Sequence, residues 1–126
     1  MNPYLLVAVG GALGSVARYG TGVLVGKGWD SSFPLGTMLI NITGSLAMGL
    51  FIGYLARTLP TWQADGRLFV AVGIFGGFTT FSSFSLDTIA MLERGEIGQA
   101  LLYVVVSVIV GIAALYGGLL LMRGAA

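Results

Sequence analysis

A run of hydroxyl-bearing and phenylalanine residues is the part of this sequence best suited to bind a ligand. It follows two adjacent glycines, Gly76 and Gly77, and it reads Thr79, Thr80, Phe81, Ser82, Ser83, Phe84 and Ser85. Hydroxyl groups donate hydrogen bonds, and the edge of a phenylalanine ring carries partial positive charge. Together these groups suit a small, hard anion that must shed its water, and they contain no fixed positive charge that would trap it.

Polar side chains in other apolar stretches are candidates to join this run. Thr37, Asn41 and Ser45 are spaced four residues apart and share one helix face, as do Tyr103 and Ser107. By helix rise, the Asn41 amide lies about 10 Å inside its apolar stretch, where it needs a hydrogen-bond partner or a polar path. Asn41 therefore either holds two helices together or lines such a path. For Tyr103 and Ser107, the competing explanation is packing with one interhelical hydrogen bond.

Two charged residues within the apolar stretches also stand out. Arg18 lies well inside the first stretch, where a charge indicates function unless the side chain reaches back toward the headgroups. Asp87 follows the hydroxyl run, and it either approaches Arg18, faces a wet opening, or caps a helix at the membrane surface.

The composition excludes most enzymes. Of 126 residues, 56% are hydrophobic and 9% are charged, and the mean hydropathy is +0.95. Histidine and cysteine are absent, which excludes zinc and haem sites, thiol nucleophiles and a histidine base. The net charge of +1 provides no basic surface for nucleic acid. We therefore predict a membrane protein that is not an enzyme.

Four apolar stretches must position these residues, and they cover approximately residues 4–25, 35–56, 68–92 and 97–122. Each is long enough to cross a hydrocarbon core of roughly 30 Å as a helix. The sequence thus predicts an all-α membrane protein with a single four-helix domain over residues 1–126. The third helix is predicted to be ordinary helix in its first half and broken in mid-membrane near residues 76–80, because glycines and hydroxyls weaken it there. A kinked helix whose hydroxyls bond their own backbone is the alternative.

The charges give almost no preferred orientation in the membrane. Three arginines lie at one end, Arg57, Arg67 and Arg123, and two basic residues lie at the other, Lys27 and Arg94. The positive-inside rule needs an asymmetry, so we predict that the chain inserts in both orientations and pairs antiparallel, a single orientation being the alternative. Four small-residue pairs predict close helix contacts: Gly10/Gly14, Gly22/Gly26, Gly49/Gly53 and Gly73/Gly77.

Three motifs of this sequence resemble those of the Fluc (CrcB) family of fluoride channels. In length and four-helix layout, the resemblance covers essentially the whole chain. Residues 76–85, Gly-Gly-Phe-Thr-Thr-Phe-Ser-Ser-Phe-Ser, resemble the family's G-G-x-[ST]-T-F-S-[ST]-F-S signature. Residues 36–41 resemble its G-T-x-x-x-N motif on the second helix, and residues 14–18 resemble its G-x-x-x-R motif on the first.

The resemblance implies an antiparallel, dual-topology homodimer with two fluoride pores along its interface. It implies that Phe81 and Phe84 line the pores with their ring edges and that Asn41 donates its amide to fluoride. It further implies that Arg18 makes the vestibule positive, and that a structural sodium ion is held on the dimer axis by the backbone carbonyls of Gly76 and Thr79 from each subunit. The remaining polar positions of the implied pore are Thr37, Thr80, Ser82, Ser83, Tyr103 and Ser107.

One departure from the family concerns the fourth helix. Gly111 and Leu115 stand where relatives carry small hydroxyl residues one and two turns after Ser107. This leaves open an altered pore or a different partner subunit, but the presence of Asn41 and both pore phenylalanines favours a working homodimer.

The favoured function is passive export of fluoride from the cytoplasm across a bacterial inner membrane. A proton-coupled exporter like the small multidrug resistance proteins needs a carboxylate early in the first helix, whereas this chain has no acidic residue before Asp30. A non-transporting membrane scaffold leaves the hydroxyl and phenylalanine run unexplained.

Overall fold

All regular secondary structure in the computed structural model is helical over the residues it describes, 1–124. Residues 125 and 126 of the predicted domain lie outside that range. The elements are α1 (Pro3–Gly28), α2 (Leu35–Thr58), α3 (Gln63–Gly66), a π-helix (Arg67–Phe75), α4 (Gly76–Phe78), α5 (Phe81–Glu93) and α6 (Ile97–Gly124). The predicted all-α class is confirmed for these residues.

Three helical segments within residues 1–124 are long and apolar enough to cross a membrane: Leu35–Thr58, Gln63–Glu93 and Ile97–Gly124. Helix α1 has 26 residues and therefore the necessary length, but it is not among the three. It begins at a well-formed cap, because the Asn2 side chain accepts a hydrogen bond from the Tyr4 amide and Pro3 occupies the first turn. The crossing of the membrane by α1 stays a prediction.

The third helical segment is less regular than the sequence predicts. Its first half is a π-helix rather than the ordinary helix that we expected, and nothing in its apolar sequence distinguishes it from α-helix. Between α4 and α5, Thr79 (φ −81°, ψ 154°) and Thr80 (φ −148°, ψ 120°) adopt extended backbone conformations. We refer to Thr79 and Thr80 as the interruption.

Glycines set the contacts between helices. A Cβ atom on Gly14 would overlap the Ile74 carbonyl, and a Cβ on Gly49 would overlap the Leu115 carbonyl. The backbone of α1 is therefore in direct contact with that of the third segment, and the backbone of α2 is in direct contact with that of α6. Three of the predicted small-residue pairs lie at such contacts, Gly10/Gly14, Gly49/Gly53 and Gly73/Gly77. In the fourth pair, Gly22/Gly26, a Cβ added at either position would have no atom of the described residues within 4 Å, apart from the helix's own backbone and its chain neighbours.

The interruption separates two halves that have different neighbours. The π-helix and α4 pack against α1, whereas α5 packs against α6. The contact between α5 and α6 includes a buried cluster of Met91, Ala100 and Tyr103, with Phe84 beside it. The third segment therefore connects α1 with α6, and its interrupted backbone lies beside α2.

A tight turn holds α5 and α6 antiparallel. Gly95 has φ +79°, a conformation that glycine adopts without strain, and the amides of Gly95 and Glu96 donate to the carbonyls of Leu92 and Met91 at 3.0 and 2.9 Å. This turn fixes the register in which Tyr103 of α6 meets Phe84 of α5.

Candidate functional site

The Asn41 side chain binds the interruption in both directions. Its Nδ2 donates to the Thr80 carbonyl at 3.0 Å, and its Oδ1 accepts from the Thr80 amide at 2.7 Å. This is the interhelical hydrogen bond that the sequence left as one of two alternatives for Asn41. An amide nitrogen carries two N–H groups, so this pairing uses one and leaves the other for a ligand.

The hydroxyls of the run bond mainly to nearby groups. Thr80 Oγ1 accepts from the Ser83 amide at 3.1 Å and thereby caps α5, and it lies 3.3 Å from Ser82 Oγ. Thr79 donates to the Phe75 carbonyl at 2.9 Å, and Ser85 donates to the Phe81 carbonyl at 3.0 Å. Both alternatives from the sequence are thus partly realised, since local bonding accompanies two residues of extended backbone.

Arg18 reaches the end of α4. Its Nε donates to the Gly77 carbonyl at 3.2 Å, across 59 positions of sequence, and the contact is half-buried. No carboxylate within residues 1–124 lies within 4.0 Å of Arg18, so the approach to Asp87 considered in the sequence analysis is not made.

The backbone carbonyls of the interruption and of the two glycines of α4 fall into two groups. The carbonyls of Gly77 and Thr80 accept hydrogen bonds from side chains. Within residues 1–124, no side chain or loop amide donates to the carbonyls of Gly76 and Thr79. Neutral carbonyl oxygens are suitable ligands for a hard cation such as sodium. The donor set present at Gly76 and Thr79 therefore fits a sodium ion held by backbone carbonyls.

Two cavities meet at Thr80. The first, about 530 Å³, brings together Arg18, Thr37, Thr80 and Ser83 and opens toward the loop between α1 and α2. The second, about 250 Å³, brings together six of the predicted residues, with Ser45 and Val108 beside them: Asn41, Thr79, Thr80, Phe81, Phe84 and Ser107. Thr80 thus borders both cavities, whereas Thr79 borders only the second.

The two phenylalanines of the run lie beside each other and differ in exposure. Their ring centroids are 5.8 Å apart at 44°, and Phe81 is 78% exposed in the single chain. Phe84 in turn packs on Tyr103 at 5.1 Å. Phe33 meets the other side of Tyr103 edge-on at 5.7 Å and 86°. Phe33 was not predictable from the sequence, because an aromatic residue in a loop between Ser32 and Pro34 carries no periodicity that would assign it a partner.

Tyr103 and Asp87 form a polar pair beneath these rings. The Tyr103 hydroxyl donates to Asp87 Oδ2 at 3.1 Å, and the Tyr103 side chain is fully buried. Tyr103 lines neither of the two cavities described above. Asp87 therefore acts as a hydrogen-bond acceptor inside the fold, which the sequence did not predict.

The polar face of α6 contains one unpaired hydroxyl. Ser107 Oγ is buried and has no hydrogen-bond partner in the described residues, although Ser107 borders the second cavity. One turn further, a Cβ on Gly111 would meet only Ser45 Oγ, at 3.9 Å. Gly111 thus leaves room for a small hydroxyl side chain, whereas the Leu115 backbone lies in the contact with Gly49.

These features define a class of protein: a multi-pass α-helical membrane protein in which an interrupted helix separates two partly polar cavities. Residues 5–119 match the family model described as "CrcB-like protein, Camphor Resistance (CrcB)". The chain therefore belongs to the CrcB family.

Curated relatives cover nearly the whole chain and are named as channels. "Fluoride-specific ion channel FluC 2" of Nitrobacter hamburgensis is 49% identical over 120 residues, covering 95% of this chain and 96% of the relative. "Fluoride-specific ion channel FluC" of Nitrobacter winogradskyi is 50% identical over 119 residues and 94% of each chain. The protein of that name from Hyphomonas neptunium is 48% identical over 123 residues, 98% of this chain and 97% of the relative.

Proposed function

We propose that this protein is a fluoride-selective channel, not an enzyme, and that fluoride passes through it down its electrochemical gradient. The observation that carries the proposal is the second cavity, where the Asn41 amide, the rings of Phe81 and Phe84 and the Ser107 hydroxyl lie together. The names of the curated relatives support the choice of fluoride among small anions.

The cavity offers a dehydrated anion neutral partners in place of water. The second N–H of Asn41, the unpaired hydroxyl of Ser107 and the ring edges all present positive ends of dipoles. Because none of them carries a full charge, binding is favourable enough for entry and weak enough for release. A carboxylate that would carry protons does not border this cavity, and Asp87 is engaged by Tyr103. This favours passive conduction over proton-coupled export.

The pore in this proposal is completed by a second copy in antiparallel orientation. All four long helical segments cross the membrane, and the interruption lies near mid-membrane, where irregular backbone needs protein or water beside it. The exposed ring of Phe81 supports a partner at this face, since it borders the second cavity and yet is 78% exposed in the single chain. Two pores then follow from the symmetry of the pair, one along each side of the interface.

A sodium ion on the dimer axis would be held by the carbonyls of Gly76 and Thr79 from both subunits. Bound there, it would neutralise carbonyl dipoles that otherwise face each other across the interface. It is a structural ion in this proposal, and fluoride is the ion that moves. The relatives are bacterial proteins, which supports a place in the inner membrane and release of fluoride from the cytoplasm.

Efflux from proteoliposomes tests the function. We expect purified protein to release fluoride from liposomes without a proton gradient, as read by a fluoride electrode, with negligible chloride release under the same conditions. Efflux that requires a proton gradient would indicate an exporter, and absence of efflux would indicate a scaffold. Tagging both termini and probing each from both sides of the membrane tests the arrangement, because a single uniform orientation would contradict the antiparallel pair.

A further inference from the structure

The contact between Arg18 and Gly77 is fixed by the packing around it. Gly14, one turn before Arg18, lies against the backbone of Ile74 and Phe78, and Gly11 lies against Gly77. The position of α1 beside α4 is therefore set by backbone contacts. From this position the Arg18 side chain places its Nε 3.2 Å from the Gly77 carbonyl.

The Gly77 carbonyl needs such a partner because the helix is interrupted. In a continuous α-helix it would accept from the amide of Phe81, four residues later, but extended Thr79 and Thr80 intervene. A carbonyl that loses its amide away from bulk water raises the free energy of the fold. The end of a helix also carries partial negative charge, which a guanidinium complements.

We propose that Arg18 is a positioning residue that caps the first half of the interrupted helix. By holding the Gly77 carbonyl, its Nε orients the peptide groups between α4 and α5, so that the carbonyls of Gly76 and Thr79 stay available to a cation. The second part of this inference rests on the proposed function, which includes a sodium ion at those carbonyls. The role depends on a hydrogen-bond donor at the Nε position, whereas a role in attracting anions to the vestibule depends on charge.

Two substitutions separate the donor from the charge. Arg18→Gln removes the charge but keeps an N–H donor the same number of bonds from the backbone as Nε. Arg18→Met has a side chain as long as that of Gln, but it has neither a charge nor a hydrogen-bond donor. Lys27→Gln is the control for loss of a positive charge on the same helix, outside the contact with Gly77. The inference predicts that the Gln variant resembles the wild type and that the Met variant does not.

Hydrogen–deuterium exchange of peptides covering residues 76–85 is the first measurement. Arg18→Met loses one hydrogen bond, so we expect these amides to exchange on the order of five-fold faster than in the wild type. We expect wild-type exchange rates in Arg18→Gln and Lys27→Gln. Exchange that is equally fast, or equally slow, in the Gln and Met variants would overturn the inference. If Arg18→Met does not fold, Arg18→Gln decides alone: wild-type exchange supports the cap, and faster exchange contradicts it.

Sodium dependence of thermal unfolding is the second measurement. We expect the sodium concentration that half-maximally stabilises the protein to rise on the order of five-fold in Arg18→Met and to stay at the wild-type value in Arg18→Gln. An unchanged half-maximal concentration in Arg18→Met would overturn the link between the cap and the cation. If the wild type itself shows no response to sodium, the proposed sodium site fails, while the exchange measurement still decides whether Arg18 caps the helix.

Discussion

Replacing Asn41 separates its contribution to the fold from its contribution to conduction. Asn41→Ala removes both hydrogen bonds to the Thr80 backbone, at 3.0 and 2.7 Å. Asn41→Asp keeps an acceptor for the Thr80 amide but replaces the donor with an oxygen that faces the Thr80 carbonyl. The two variants therefore damage the same contact and differ in the charge that they bring to the second cavity.

The magnitudes of the two effects differ. An interhelical hydrogen bond in a membrane is worth about 0.6 to 1 kcal/mol, so losing both lowers the free energy of unfolding by about 1 to 2 kcal/mol in Asn41→Ala. In Asn41→Asp, an ionised carboxylate at about 4 Å from an anion adds about 4 kcal/mol of repulsion at an effective dielectric constant of about 20. Occupancy of the cavity then falls roughly a thousand-fold, so Asn41→Asp should nearly abolish fluoride flux.

The assays are thermal unfolding in detergent and fluoride efflux from liposomes. Thr43→Ala is the matched control, since Thr43 lies on the same helix and its hydroxyl donates to the helix's own Leu39 carbonyl at 2.7 Å. We expect the control to behave as the wild type in both assays. Wild-type flux in Asn41→Asp would remove Asn41 from the pore, and wild-type unfolding in Asn41→Ala would show that its pairing with Thr80 does not stabilise the fold.

Three further predictions concern the pore walls and the helix contacts. We expect at least ten-fold lower fluoride flux (~1.4 kcal/mol) in Phe81→Ile and in Phe84→Ile, because each removes ring edges but keeps apolar volume. The proposed dimer should persist in size-exclusion chromatography, and undiminished flux in both variants would contradict the ring-edge role. Gly14→Ala should lower the free energy of unfolding by about 3 kcal/mol, since its Cβ would overlap a backbone carbonyl, whereas Gly22→Ala, which meets nothing within 4 Å, should unfold as the wild type. Gly111→Ser should keep the thermal stability and the flux, because its Cβ would make only an ordinary contact at 3.9 Å; loss of either would show that the glycine is required there.

The sequence predicts the helices better than their internal geometry. Helices α2 and α6 begin at Leu35 and Ile97, the residues that open the second and fourth apolar stretches, because a polar or turn-rich segment precedes each. The interruption falls inside the predicted range, 76–80, where paired glycines lower helix propensity and hydroxyls offer the backbone competing partners. The π-helix at Arg67–Phe75 was not predictable, since its apolar residues suit either kind of helix and packing against α1 decides between them.

The site shows the same division between what residue types reveal and what they do not. Grouping Asn41 with Phe81 and Phe84 was possible because their types suit one ligand, and the second cavity contains all three. The partners of Asn41 and Arg18 were not predictable, because both bind backbone groups of the interruption, and a backbone carbonyl looks alike at every position of a sequence. The partner of Asp87 was missed for a different reason: the sequence suggested Arg18, a wet opening or a helix cap, and it does not reveal that the α5–α6 packing brings Tyr103 to Asp87.

The hydrogen bonds at the interruption also bear on how the proposed uncharged anion site would persist in an apolar protein. Arg18 from α1 satisfies the Gly77 carbonyl, Asn41 from α2 satisfies both polar groups of the Thr80 backbone, and the Thr80 hydroxyl caps α5. The extended backbone is thus stabilised by side chains from helices on either side of it, and a loss on one side leaves the other in place. Because these bonds do not use Ser107, its hydroxyl is separate from the groups that hold the backbone, whereas the Asn41 amide serves both roles in this proposal. Substitutions of Ser107 should therefore change flux without changing exchange at residues 76–85, and a Ser107→Ala variant that loosens those amides would refute this separation.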